Sequence, residues 1–143
     1  MDELDLSLGD LRVRIRVLER LLEEAGVPYR DWLKCEVRVG VPSFSGSVEW
    51  SVMPLELSAL ADDLARLYDQ FPNHGSVTFE PTEPNVTLNF EITTTGAVAG
   101  RCAFRDDLVD GDVLQVRFNI EQSRLPGLVN DIRAFVAATA PAA

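Results

Sequence analysis

Apart from its carboxylates, this chain has few residues with side chains suited to catalysis or metal binding. The single histidine, His74, lies in an Asn-His-Gly turn after a predicted helix, with no acid or nucleophile placed beside it. Cys35 and Cys102 share strand parity with apolar residues, so we expect both to lie in the core as small hydrophobes. A catalytic thiol needs electropositive surroundings, and a structural zinc site needs closely paired ligands. The sequence therefore predicts no catalytic, cofactor or metal site and a protein that is not an enzyme.

A run of carboxylates between two predicted strands is the other candidate site. Asp106, Asp107, Asp110 and Asp112 lie in one short segment together with Gly111. The regular spacing and the closing glutamate of a calcium loop are missing, whereas Asp and Gly are common in turns. We therefore interpret the segment as a polar hairpin connection.

The charge of the chain narrows the class of its partner. Asp and Glu number 23 against 13 Lys and Arg, a net charge of −10 over 143 residues. This excess disfavours nucleic acid and anionic membranes, which both select clustered cations. It favours a basic protein partner, because opposite fields speed encounter. The same charge also has a simpler explanation, since it keeps a protein soluble.

The sequence predicts a cytoplasmic protein with a single domain over residues 1–143. Its first residues, Met1–Asp5, are acidic where a secretory leader is basic, and no apolar run approaches the ~20 residues that span a bilayer. Two cysteines fit a reducing compartment. A 46% apolar content is sufficient for a packed core.

Alternation of apolar and polar residues predicts about seven strands. Three precede a helix and four follow it, and their apolar positions run over 11–17, 35–41, 48–52, 77–79, 86–92, 98–104 and 114–120. The segment Gly26-Val27-Pro28 is expected to interrupt the alternating pattern between the first two strands. Each strand would have one apolar and one charged face.

Two segments change to helical spacing. Leu57, Leu60, Leu64 and Leu67 form the apolar stripe of one amphipathic helix. A second stripe extends from Leu125 to Val136, with Ser123 as a candidate cap and residues 137–143 expected to fray. The order β-β-β-α-β-β-β-β-α predicts a two-layer α+β fold, in which both helices cover a mostly antiparallel sheet.

Several segments together resemble the WapI family of bacterial immunity proteins. They are the strand Trp32–Val39, the turn Phe44–Gly46, the leucine-striped helix, and Val77–Phe79 with Glu83 in the following turn. The most specific is the junction from strand to helix, where Glu121, Gln122, Ser123, Leu125 and Pro126 fill the family's pattern. The resemblance extends over about nine-tenths of the chain in element order.

The resemblance implies a small protein that neutralises a polymorphic toxin, often a nuclease. A nuclease must be basic to hold phosphate, so an acidic inhibitor can mask its substrate groove. We therefore expect contact with a basic toxin domain through exposed carboxylates. The candidates are Asp106, Asp107, Asp110 and Asp112 in the loop, with Glu36 and Glu49 on the sheet face.

Two other classes stay open at the level of sequence. A small acidic secretion chaperone would share the composition, and would be a dimer with an apolar groove. A small-molecule carrier would need a cavity between sheet and helices, for which Trp32, Trp50 and Phe90 are the candidate lining. Aromatic residues more commonly fill the core itself.

Overall fold

The structure, a computed structural model, describes residues 3–22 and 31–139. Four strands come first: β1 (Glu3–Leu8), β2 (Leu11–Leu22), β3 (Asp31–Val41) and β4 (Phe44–Val52). Helix α1 (Pro54–Gln70) separates them from four more strands: β5 (Ser76–Phe79), β6 (Val86–Ile92), β7 (Ala97–Arg105) and β8 (Val113–Glu121). A 3₁₀ turn, Gln122–Arg124, leads into helix α2 (Leu125–Ala138).

The strands form two antiparallel sheets, each with its four strands in sequence order. Sheet A contains β1 to β4 and sheet B contains β5 to β8. The predicted α+β class and the two helices are confirmed, and the described residues contain eight strands rather than about seven. The additional strand is β1, in which buried Leu4, Leu6 and Leu8 alternate with more exposed residues.

Strand β2 is longer than its alternating pattern indicates. The register between β2 and β3 shifts between Val17 and Glu19, a local bulge that breaks the alternation. Pairing resumes beyond it, with Leu21 opposite Trp32. The predicted break at Gly26-Val27-Pro28 lies outside the described residues.

The helices follow their predicted stripes, with differences at the ends. Pro54 begins α1, where its missing N–H leaves no hydrogen bond unmade, and the four predicted leucines are buried.

The prediction that Ser123 caps α2 is wrong, because Ser123 lies within the 3₁₀ turn and no side chain caps the helix. The expected fraying is wrong for Ala137 and Ala138. Both residues are helical, and Thr139 ends the helix, with its hydroxyl donating to the carbonyl of Phe135 at 3.0 Å. Residues 140–143 are outside the described part.

One apolar core joins both sheets and both helices. Trp50 of sheet A meets Phe79 of sheet B edge to face, with ring centroids 6.0 Å apart. The indole N–H of Trp50 donates to the carbonyl of Glu83 at 2.7 Å. Trp50 and Phe90 are thus part of the core, each 2% exposed, whereas Trp32 has the opposite strand parity and is partly exposed. Of the three aromatic residues considered as the lining of a cavity, Trp50 and Phe90 therefore belong to the core itself.

Glu56 fastens the start of α1 to the turn between β5 and β6. Its Oε1 accepts the backbone N–H of Met53 at 3.1 Å, which satisfies a donor at the helix N-terminus. Its Oε2 accepts both the backbone N–H and the hydroxyl of Thr82, at 2.7 and 3.1 Å. One carboxylate therefore couples two elements that are far apart in sequence.

We expect Glu56→Ala to lower the free energy of unfolding by about 1–3 kcal/mol, because hydrogen bonds to a charged acceptor are lost at a helix start. Urea denaturation followed by circular dichroism measures the change. Asp69→Ala is the matched control, since Asp69 is an exposed carboxylate at the other end of the same helix. Equal stability losses in the two variants would contradict the role assigned to Glu56.

Candidate partner-binding surfaces

The loop between β7 and β8 places all four predicted aspartates at the surface. Residues 106–112 form this acidic loop, and Asp106, Asp107, Asp110 and Asp112 are exposed. At its base, the side-chain amide of Asn85 donates to the carbonyl of Arg105 at 3.0 Å, and the N–H of Arg105 donates to the carbonyl of Asn85 at 2.8 Å. The loop therefore begins from a fixed point beside β6.

Two of the aspartates hold the backbone of the acidic loop. Asp106 Oδ1 accepts the N–H of Asp107, and Asp107 Oδ1 accepts the N–H of Val109, both at 2.8 Å. The loop closes tightly at Gly111, where a Cβ would lie 2.1 Å from Asp106 Oδ1 and 2.4 Å from the nitrogen of Asp107. Such closeness explains the glycine, because any side chain there would displace the loop.

The other two aspartates are directed to solvent. Within the described part of the chain, no hydrogen bond or ion pair involves the carboxylates of Asp110 or Asp112. Their charges are therefore available to a partner. The four predicted residues thus divide into two that order the loop and two that can make contacts.

Exposed apolar side chains surround these carboxylates, and the sequence interpretation missed them. Val109 is 86% exposed at the tip of the acidic loop, and Leu108 and Val113 are 43% and 48% exposed. The available signal was the pair Leu108-Val109 inside a run of aspartates, an apolar dipeptide that no strand or helix pattern requires. An apolar tip with an acidic rim is a typical surface for protein contact.

Glu36 and Glu49 are brought together on the outer face of sheet A, opposite each other in the register of β3 and β4. Glu36 Oε1 also contacts two guanidinium groups, those of Arg16 at 3.4 Å and Arg38 at 3.0 Å. Its charge is largely compensated, while Glu49 is exposed. The carboxylate of Glu36 on sheet A thus lies among arginines. The acidic loop connects two strands of sheet B, so the two sets of predicted contact residues lie on different sheets.

The residues that could have supported chemistry are in ordinary structural settings. Burial raises the pKa of Cys35 and of Cys102 to about 12, so neither thiol ionises near neutral pH to act as a nucleophile. Both are free, on β3 and β7 respectively. His74 is exposed in the turn after α1. Among residues 3–22 and 31–139, no group of three or more acidic, His or Cys side chains could hold a metal ion.

The fold and surface define a two-sheet α+β domain that presents a preordered acidic loop with an apolar tip. The chain belongs to the Immunity protein WapI-like family, whose sequence model matches residues 6–140. The suspected family is thereby confirmed. Membership supports an immunity-type function and implies binding to a cognate toxin.

Other comparisons add little. No curated protein matches the chain. Among solved structures, one similar chain is from the structure of the plant transcriptional regulator PBF-2. It has a TM-score of 0.45 and 7% sequence identity, over 94% of this chain and 79% of that one. Neither described helix is long and apolar enough to cross a membrane.

Proposed function

We propose that this protein is a non-enzymatic inhibitor in the cytoplasm that neutralises a basic toxin domain, such as a nuclease, by covering its cationic surface. The observation that carries the proposal is the tip of the acidic loop, where exposed Val109 adjoins the outward carboxylates of Asp110 and Asp112. An apolar side chain that is desolvated on binding supplies affinity, and the surrounding charges supply attraction and orientation. The net charge of −10 also attracts a basic partner.

The order within the acidic loop supports tight binding. A loop that is already held by Asp106, Asp107 and Gly111 loses little conformational freedom when it docks. Glu49 is proposed as an additional contact on sheet A. Glu36 would contribute less, because Arg16 and Arg38 already neutralise it.

The first test is neutralisation by the intact protein. A candidate toxin domain with a basic surface, sought among the products of the neighbouring genes, is expressed in a susceptible cell with and without this protein, and growth is measured. We expect rescue of growth and a stoichiometric complex on gel filtration. Continued toxicity together with no complex at low salt would overturn the proposed function.

The second test locates the contact on the acidic loop. We expect Asp110→Lys combined with Asp112→Lys to slow association with the toxin domain at low salt by about tenfold or more, because electrostatic steering is reversed. Surface plasmon resonance at several salt concentrations measures the rate. These positions are chosen over Asp106 and Asp107, whose replacement would also disorder the loop.

The matched control is Asp69→Lys combined with Asp131→Lys. It changes the net charge equally but on exposed positions of α1 and α2. If both double variants slow association to the same extent, the general charge of the protein is responsible and the loop is not the contact.

A further inference from the structure

The centre of the outer face of sheet B carries a pair of positive charges, opposite in sign to the net charge of the molecule. Arg101 on β7 lies directly opposite Arg117 on β8, and both are exposed. Asn89 of β6 is the neighbour of Arg101 on the other side. Like charges in directly opposed strand positions destabilise a sheet, so this pair weakens the isolated fold.

These arginines also differ from most others of the chain in their surroundings. Arg14, Arg16 and Arg38 on sheet A form ion pairs with carboxylates, as do Arg66 and Arg133 on the helices. Within residues 3–22 and 31–139, no ion pair involves Arg101, Arg105 or Arg117. This is so although acidic side chains outnumber basic ones in the chain, 23 to 13.

The shape of the face leaves room for a ligand on both sides of the arginine pair. One depression of about 370 Å³ is bordered by Arg101, Arg117 and Arg105 and includes the side chains of Thr87 and Gln115. A second, of about 390 Å³, is bordered by the same two arginines with Asn119. Small residues form the floors, Ala103 in the first and Ala99 in the second. Glu80 and Glu91 lie at the far rims of the first and second depressions respectively, on the β5 and β6 side.

We infer that this face binds an acidic segment of a partner protein, with carboxylates placed on the guanidinium groups of Arg101 and Arg117. A guanidinium can hold a carboxylate by two parallel hydrogen bonds, and a carboxylate between the two arginines would relieve their mutual repulsion. The hydroxyl of Thr87 and the amide of Gln115 lie along the same face to bind the peptide backbone. The amide nitrogen of Asn89 already donates to the hydroxyl of Thr78 at 3.0 Å, so Asn89 contributes its carbonyl oxygen.

A nucleic acid fits this face less well than an acidic segment. A net charge of −10 repels a continuous polyanion, whereas a short segment with a few carboxylates experiences mainly the local field. Single-stranded nucleic acid is also held by stacking on exposed aromatic side chains. Phe118 lines the second depression but is only 5% exposed, and no aromatic residue lines the first. The inference goes beyond the proposed function, because it assigns a second surface of opposite charge.

The test uses the full chain and a short fluorescein-labelled peptide with three glutamates separated by glycines, so it does not depend on any toxin. Fluorescence anisotropy at low salt is expected to show binding that weakens as salt is added. Arg101→Gln combined with Arg117→Gln should weaken binding by about tenfold or more, since charged hydrogen bonds are lost. Arg101→Lys should give an intermediate loss, because lysine retains the charge without the paired donors.

The matched control is Arg66→Gln combined with Arg133→Gln, which removes the same charge from the helices. Its affinity for the peptide should stay within about twofold of the original protein, because Arg66 and Arg133 lie outside both depressions and are paired with carboxylates of α1. No binding of the peptide, or equal losses in both double variants, would overturn the inference. Tighter binding of a labelled oligothymidylate than of the peptide would overturn it in favour of nucleic acid.

Discussion

Trp50→Ala is expected to lower the free energy of unfolding by about 3–5 kcal/mol, the usual range for truncating a buried large aromatic residue. Trp50 is 2% exposed and its ring contacts Phe79 of the other sheet at a centroid distance of 6.0 Å. The substitution also leaves the carbonyl of Glu83 without its indole donor. The loss should therefore combine a cavity with separation of the two sheets.

Denaturation by urea, followed by circular dichroism at far-ultraviolet wavelengths, measures this effect without depending on tryptophan fluorescence. Trp50→Phe is the informative control, because it retains an aromatic ring but loses the hydrogen bond to Glu83. We expect that variant to lose only about 1–2 kcal/mol. A loss below about 1 kcal/mol for Trp50→Ala would contradict the role of this residue as a link between the sheets.

Much of the secondary structure could be predicted from alternation alone. Strands with one buried face repeat apolar residues at every second position, and β6, with Val86, Leu88, Phe90 and Ile92 all buried, shows the pattern clearly. Strand β1 has the same pattern in Leu4, Leu6 and Leu8, so alternation was sufficient to predict this strand as well.

The division into two sheets could not be obtained from local pattern. Strands β4 and β5 each have alternating residues and are separated by α1, and whether they pair depends on how the helix folds back. The bulge at Val17 and Glu19 was hidden for a related reason, because it is defined by pairing with β3. Long-range register therefore sets the limit of the sequence interpretation.

The same limit applies to the candidate sites. The position of residues 106–112 in a loop follows from turn chemistry. Which of the four aspartates order the loop depends on which carboxylates accept hydrogen bonds from backbone N–H groups. The compensation of Glu36 by Arg16 likewise requires the register of β2 against β3. For Arg101 and Arg117, sixteen positions apart in sequence, only the pairing of β7 with β8 makes them neighbours.

Gly100→Ala is the other substitution with a large expected effect, and it acts by overpacking rather than by loss of contacts. A Cβ at Gly100 would lie 2.0 Å from Cζ and 2.4 Å from Cε1 and Cε2 of Phe118, the residue opposite it on β8. The ring cannot easily move, because Phe118 is 5% exposed and packs edge to face on Phe90 at 5.3 Å. We expect a loss of about 2–3 kcal/mol in the free energy of unfolding.

A double-mutant cycle with Phe118→Ala tests the cause as well as the size of this effect. If the clash with the ring is responsible, Gly100→Ala should have little effect or stabilise the protein once the ring is gone, because alanine restricts the unfolded chain. Gly40→Ala on β3 is the control in the intact background, since a Cβ there meets no atom within 4 Å. An equal loss from Gly100→Ala with and without the Phe118 ring would show that the glycine serves the strand itself, and the explanation by ring packing would then be wrong.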